Sequence, residues 1–173
     1  LFDWMAVEGK IKLANAADFV RIALFDLWVE NTDRGKPLMD GGYNYNLLLT
    51  SMPNKQAKVY AFDHAFIFGG QNSFRLFNAT FGINGGNKLL STPFYKEAVY
   101  GCLSEVERLS LLNQFLQHIQ ANTWQQAVKE AIATASVHWP VPPNFESRIV
   151  DFLSNQNRLN LLLQNATTLL TGK

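Results

Sequence analysis

The segment FDLWVENTDR, residues 25–34, is followed by NYNLLL at residues 44–49 and by VYAFDHAF at residues 59–66. The first segment runs from a strongly apolar stretch without Gly or Pro, which predicts a buried helix, into a turn-rich loop. The other two predict β-strands over residues 46–50 and 58–62, joined as a β-hairpin by a longer loop. A helix, a loop and a small hairpin therefore follow one another along the chain.

Three polar residues terminate these apolar segments. Asp33 lies in the loop after the helix, Asn46 begins the first strand, and Asp63 directly follows the second. Because paired strands lie about 4.8 Å apart, the start of one strand and the end of its partner are neighbours, and we expect Asn46 and Asp63 to converge. An amide oxygen and a carboxylate suit Mg²⁺, which completes its octahedron with water and substrate phosphates. Asp33, just outside, is placed to accept a hydroxyl proton, and such a set forms a phosphoryl-transfer site.

This set resembles the catalytic and metal loops of HipA-like kinases, with a related pattern in type II phosphatidylinositol 4-kinases. Both families are distant members of the protein-kinase-like fold, and the resemblance covers about residues 25–70. It implies that Asp33 is the catalytic Asp and that Asn46 and Asp63 bind the metal. It also implies Mg²⁺ and ATP as cofactors, and it favours Ser or Thr of a protein as the phosphoacceptor.

The loop between Asp33 and Asn46 has twelve residues, whereas the usual kinase catalytic loop has four at this place. An inserted loop accounts for the excess and adds two candidates for the nucleotide site. Asn44 competes with Asn46 for the metal. Lys36 can contact a γ-phosphate as a point charge, although a solvated surface Lys is the alternative. For Arg34, a surface ion pair and a structural anchor of the loop are equally good interpretations.

The segment upstream of Asp33 contains no Gly-rich phosphate loop and no strand like Val-Ala-Ile-Lys. Its 32 residues are too few for a nucleotide-covering lobe. We therefore expect this chain to be the C-terminal lobe of a longer kinase and to be inactive by itself. The alternative is a non-catalytic interaction domain, a degenerate kinase lobe that serves as a binding surface.

The remaining segments predict a mainly α fold with one small hairpin, a kinase-like C-lobe of the α+β class. We expect one domain over residues 1–173, with the catalytic and metal loops at about 25–70 and a helical subdomain at about 94–173. Capping boxes predict three helix starts, at Asn15, Ser104 and Thr123. The predicted helices cover residues 15–30, 104–121, 123–136, 145–154 and 158–170. The Gly-rich residues 69–92 predict an irregular surface loop.

The composition excludes several classes of protein. Fifteen basic and fourteen acidic residues give a net charge of +1, so bulk charge recruits neither nucleic acid nor an anionic membrane. The single cysteine, Cys102, is expected to be a small core residue. One cysteine rules out an intramolecular disulfide and a thiolate zinc cluster. No apolar run reaches the ~20 residues of a membrane span, and no secretory signal is recognisable. A cytoplasmic protein is expected.

Overall fold

The computed structural model of the chain describes residues 12–53, 56–64, 66–69 and 88–172. The described chain is mainly helical with a small sheet, an α+β fold. Its first part contains β1 (Lys12–Leu13), α1 (Ala16–Val29), β2 (Lys36–Pro37), β3 (Tyr43–Asn44), β4 (Leu47–Met52) and β5 (Gln56–Ala61). Its second part contains α2 (Pro93–Tyr95), which continues as a π-helical turn (Lys96–Tyr100), then α3 (Glu105–Gln120), α4 (Trp124–Ser136), α5 (Phe145–Ser154) and α6 (Gln156–Thr171). Short 3-10 turns lie at Ile67–Gly69 and Leu89–Ser91.

The predicted hairpin is the main part of the sheet. β4 and β5 pair antiparallel, from Leu47 opposite Ala61 to Met52 opposite Gln56, and β1 pairs parallel with the other edge of β5. The strands extend further toward the connection than predicted, so residues 53–55 alone join them. Cross-strand pairing overrides the turn propensity of the residues beside Pro53. The turn-rich loop predicted after α1 also contains a second, two-stranded hairpin of β2 and β3.

Helix α1 is the centre of the core, as its apolar sequence predicts. Phe19, Val20, Ala23 and Leu24 are completely buried, and the helix packs against β5, α3 and α6. The expected Asn15 capping box is wrong, because the Asn15 side chain makes no cap hydrogen bond. Its amide instead accepts from the Val59 backbone N–H and donates to the Val59 carbonyl, both at 2.9 Å. Pairing with a strand edge across the fold satisfies this side chain, and α1 is thereby joined to the sheet.

The helical second part follows the sequence closely. The Ser104 capping box is confirmed: the Ser104 hydroxyl accepts from the Glu107 backbone N–H, and the Glu107 carboxylate accepts from that of Ser104. The Thr123 capping box is wrong, because Thr123 has a helical backbone and its side chain makes no cap hydrogen bond. Helix α6 begins at Gln156, two residues earlier than predicted, since the Asn155 side chain accepts from the Arg158 backbone N–H at 3.1 Å.

Two further predictions need correction. The end of the predicted surface loop at residues 69–92 is part of the core, because Leu89, Leu90 and Thr92 are buried. Residues 70–87 of that loop lie outside the described residues. Cys102 is exposed rather than a core residue, since it lies in the turn that joins the π-helical segment to α3. In the part of the chain that the structure describes, no helix is long and apolar enough to cross a membrane.

Candidate functional site

Asp33 lies at the base of the β2–β3 hairpin, where two asparagine side chains contact its carboxylate. The Asn44 amide donates to Asp33 Oδ2 at 2.5 Å, and the Asn46 amide donates to the same oxygen at 3.2 Å. All three side chains are half-buried. The hairpin makes this possible, because Gly35 N–H donates to the Asn44 carbonyl at 2.6 Å and closes the loop on itself. The twelve-residue loop between Asp33 and Asn46 therefore brings Asn44 back to Asp33.

The orientation of both amides follows from hydrogen-bond chemistry. An ionised carboxylate only accepts hydrogen bonds, so each asparagine must turn its NH₂ group toward Asp33. The Oδ1 atoms of Asn44 and Asn46 are then available as hard oxygen ligands. Both amides engage Oδ2, and no described residue donates a hydrogen bond to Asp33 Oδ1. One oxygen of the carboxylate is thus oriented, and the other is left to accept a proton.

Asn46 and Asp63 converge through their backbones, as the hairpin predicts. The Phe62 N–H donates to the Asn46 carbonyl at 3.1 Å, which places residue 63 one position beyond this pair. Both residues have a positive φ, 46° at Asn46 and 54° at Asp63, in the region that L-residues rarely adopt and that Asn and Asp tolerate best. The Asp63 side chain is exposed. The backbones of Asn46 and Asp63 therefore meet at one end of the β4–β5 hairpin.

Arg34 is the structural anchor of this loop, not a surface ion pair. Its side chain is fully buried, and its Nε donates to Asp26 Oδ2 on α1 at 2.7 Å. The remaining guanidinium N–H groups donate to four backbone carbonyls of the β4–β5 hairpin ends, those of Tyr45, Asn46, Phe62 and Asp63. One side chain thus ties the loop that carries Asp33 to both strand ends that carry Asn46 and Asp63.

Asp26 connects the loop to the core through a second set of hydrogen bonds. Its Oδ1 accepts from the Asn31 side chain at 3.0 Å, and Asn31 Oδ1 in turn accepts from the Asp33 backbone N–H at 3.2 Å. Burial raises the pKa of Asp26 to about 6, while the positive charge of Arg34 acts in the opposite direction. The backbone of Asp33 is therefore positioned from a buried carboxylate on α1.

A second buried ion pair holds the end of α1. Arg158 on α6 donates from Nη1 to Glu30 Oε2 at 3.0 Å, and from Nη2 to the last carbonyls of α1, those of Leu27 and Trp28. Glu30 ends the helix in the left-handed conformation, with φ 58°. Burial raises the pKa of Glu30 to about 7, against the opposing effect of Arg158. The start of the Asp33 loop is thus held from α6 as well as from α1.

Lys36 and His64 lie at the edge of the site. Lys36 is exposed on β2, and no hydrogen bond or ion pair from its side chain to another described residue is found. His64 is exposed and packs edge-on against the Phe25 ring, with the ring centres 6.0 Å apart. Partial burial lowers the pKa of His64, and the nearby charge of Arg34 lowers it further. Lys36 is the only cation among the predicted site residues that is open to solvent.

Sequence reasoning missed the roles of Asp26, Glu30, Asn31 and Arg158. A signal existed for Asp26, because it interrupts the apolar run from Ile22 to Val29, and a carboxylate buried there needs a partner. Arg158 has no comparable signal, since it lies 128 residues from Glu30. Among the described residues, no cluster of three or more His, Cys, Asp or Glu side chains could hold a metal ion. Any metal here would depend on the amide oxygens together with Asp63.

Comparisons with known proteins find no match for this chain among protein-family models, curated proteins or solved structures.

Proposed function

We propose that this protein is a Mg²⁺-dependent phosphotransferase, similar to HipA-like kinases. It would transfer the γ-phosphoryl group of ATP to a hydroxyl, that of Ser or Thr in a protein being the favoured acceptor. On this proposal the chain provides the C-terminal catalytic lobe. The observation that carries it is the Asp33 carboxylate, oriented at one oxygen by two asparagine amides beside the backbone junction of Asn46 and Asp63.

Asp33 would act as the base. The amides of Asn44 and Asn46 hold Oδ2 in place, so Oδ1 is the atom that accepts the proton of the attacking hydroxyl. General-base catalysis requires such a fixed carboxylate within hydrogen-bond reach of the hydroxyl. Holding the carboxylate in advance also lowers the entropy cost of reaching the reactive geometry.

The metal ligands would be the Asp63 carboxylate and an amide oxygen of Asn46 or Asn44. When bound, Mg²⁺ would neutralise charge on the phosphates of ATP. The protein's own contribution is to fix the two strand ends that carry these ligands, which Arg34 does from a buried position. Lys36, exposed on the neighbouring strand, would add a positive charge for the γ-phosphate.

The alternative of a non-catalytic interaction domain has its own support. Val137 and Trp139, after the end of α4, are 75% and 67% exposed, which is unusual for large apolar side chains. Such a surface suits protein binding without catalysis. The two functions make opposite predictions for variants at Asp33 and Asp63.

The test uses the protein at the length at which its own cell makes it. Asp63→Asn removes a metal ligand's charge, so we expect a raised Kd for Mg·ATP in calorimetry. Asp33→Asn preserves the shape and the amide contacts but removes the base, so turnover should fall by about 10²–10⁴-fold with little change in nucleotide affinity. Asp151→Asn, an exposed carboxylate on α5, is the control and should change neither quantity.

Two results would contradict the proposal. The first is that Mg·ATP binds the wild type no better than it binds Asp63→Asn. The second is that the wild type transfers no phosphate while both Asp variants keep the cellular role, which would favour the interaction domain instead. If turnover falls in Asp33→Asn while Mg·ATP affinity is retained, the assignment of the base is supported.

A further inference from the structure

The hairpin formed by residues 35–44, here called the insert hairpin, is rigidly held at its base. Gly35 has φ 78°, and a Cβ there would lie 2.5 Å from the backbone nitrogen of Leu89, so this strand start packs directly on the 88–89 backbone. Lys36 pairs with Asn44 across the hairpin, and the Asn44 amide contacts Asp33. The base of the insert hairpin is therefore part of the candidate site itself.

The tip of the insert hairpin is apolar and exposed. Leu38 is 45% exposed and Met39 is completely exposed, although both are large apolar side chains. The backbone at this tip is ordered by its own hydrogen bonds, from Leu38 N–H to the Gly42 carbonyl at 2.8 Å and from Gly42 N–H to Asp40 Oδ1 at 3.1 Å. Exposed Met residues are common at surfaces that bind varied partners.

We propose that the tip of the insert hairpin binds an apolar side chain of the phosphoacceptor protein, close in sequence to the residue that is phosphorylated. This inference rests on the proposed kinase function and adds to it an element that selects the acceptor. The connectivity limits the distance: Met39 is six residues from Asp33, and six residues span at most about 20 Å. An extended acceptor segment would cover that distance with about six residues of its own.

The charges of the tip define the acceptor further. Asp40, next to Met39, is exposed and negatively charged, and the tip residues 38–42 contain no cation. The tip itself offers no positive charge to a phosphate-rich partner or an anionic lipid surface. A peptide that carries a basic residue beside its apolar one would be attracted. The preferred acceptor is therefore a Ser or Thr with an apolar and a basic residue within about six positions.

The inference is tested with the protein at its natural length and a peptide library. Each peptide has a central Ser or Thr and six randomised positions on either side. The peptides that receive phosphate from labelled ATP are isolated and sequenced. We expect enrichment of an apolar residue beside a basic one at fixed positions. The double variant Leu38→Ser/Met39→Ser should lose this selection and raise KM for a selected peptide about tenfold or more, because the apolar contact is lost.

Two controls separate docking from catalysis. Val106→Ser removes another highly exposed aliphatic side chain, at the start of α3, and should leave KM unchanged. Affinity for Mg·ATP should be the same in the wild type and the double variant, because neither substituted residue belongs to the metal or base positions. A raised peptide KM with unchanged nucleotide affinity supports the inference.

The contrary outcomes are distinct from failure of the kinase proposal. If the wild type phosphorylates peptides and the double variant does so with the same selection and KM, the docking inference is wrong and the kinase function stands. If the wild type binds Mg·ATP but phosphorylates no peptide, the acceptor is of another class, such as a lipid, and the inference is again wrong. Failure to bind Mg·ATP refutes the proposed function, and with it this inference.

Discussion

Replacing Arg34 by methionine tests the contact that joins the Asp33 loop to the hairpin. The substitution retains a long apolar side chain but removes a guanidinium that is fully buried against Asp26. Loss of one partner leaves the other charge buried without compensation, which costs about 3–5 kcal/mol in proteins. The backbone carbonyls that lose their donor add to this cost, so we expect the upper part of that range.

Arg21→Met is the matched control. Arg21 forms an ion pair of the same length, 2.7 Å, with Asp18 on the same helix, but the two side chains are 52% and 48% exposed. Exposed pairs of this kind contribute about 0–1 kcal/mol. The two variants therefore differ in burial, while the chemistry of the substitution is identical.

Urea denaturation monitored by tryptophan fluorescence measures the free energy of unfolding of both variants. Hydrogen exchange adds local information, because the Phe62 amide donates to the Asn46 carbonyl beside Arg34 and should lose protection in Arg34→Met. The double variant Asp26→Leu/Arg34→Met should be more stable than Arg34→Met, since it leaves no unpaired charge in the core. Equal free energies of unfolding for Arg34→Met and Arg21→Met would refute the anchoring role, and a double variant less stable than Arg34→Met would refute the electrostatic explanation.

Gly35→Ala should destabilise more than Gly41→Ala in urea denaturation, because both positions have positive φ but only the Cβ at residue 35 meets neighbouring backbone. The left-handed conformation costs about 1–2 kcal/mol at either site, and the steric conflict adds about 1–3 kcal/mol at Gly35 alone, so equal losses would contradict the packing of the insert hairpin on Leu89. Stability should fall as pH rises toward 7, because Glu30 has a pKa of 4.5 when unfolded and about 7 when folded, and the folded protein therefore holds the extra proton in that window. Glu30→Gln should remove this contribution, which is about 1.2 kcal/mol per pH unit at pH 6 and about 0.7 at pH 7, and an unchanged slope would mean that another group titrates there.

Much of the candidate site is visible in the sequence because it depends on local pairing. A hairpin of two apolar strands necessarily brings Asn46 close to residue 62, and the structure contains that pair. Asn44 was one of two competing candidates, and both asparagines contact Asp33. The β2–β3 pairing that brings Asn44 there was not foreseen, since two-residue strands leave no alternation to detect.

The elements whose causes are local follow from the amino-acid sequence alone. A strongly apolar stretch without Gly or Pro specifies helix α1, two short apolar runs separated by turn residues specify β4 and β5, and a Ser followed by a Glu three residues later specifies the start of α3. These depend on contacts within a few residues, where backbone propensity and nearby side chains dominate.

Which polar residues are buried, and which partner each one contacts, depends on the tertiary structure. The Asn15 side chain suits both a helix cap and a strand edge. It pairs with the strand edge because β5 lies within its reach. Arginine is usually a surface residue. Arg34 and Arg158 are nevertheless completely buried, because α1 provides carboxylates and free carbonyls at its end. Burying a charge without a partner is strongly destabilising, and the partners of these two side chains come from segments up to 131 residues away in the chain.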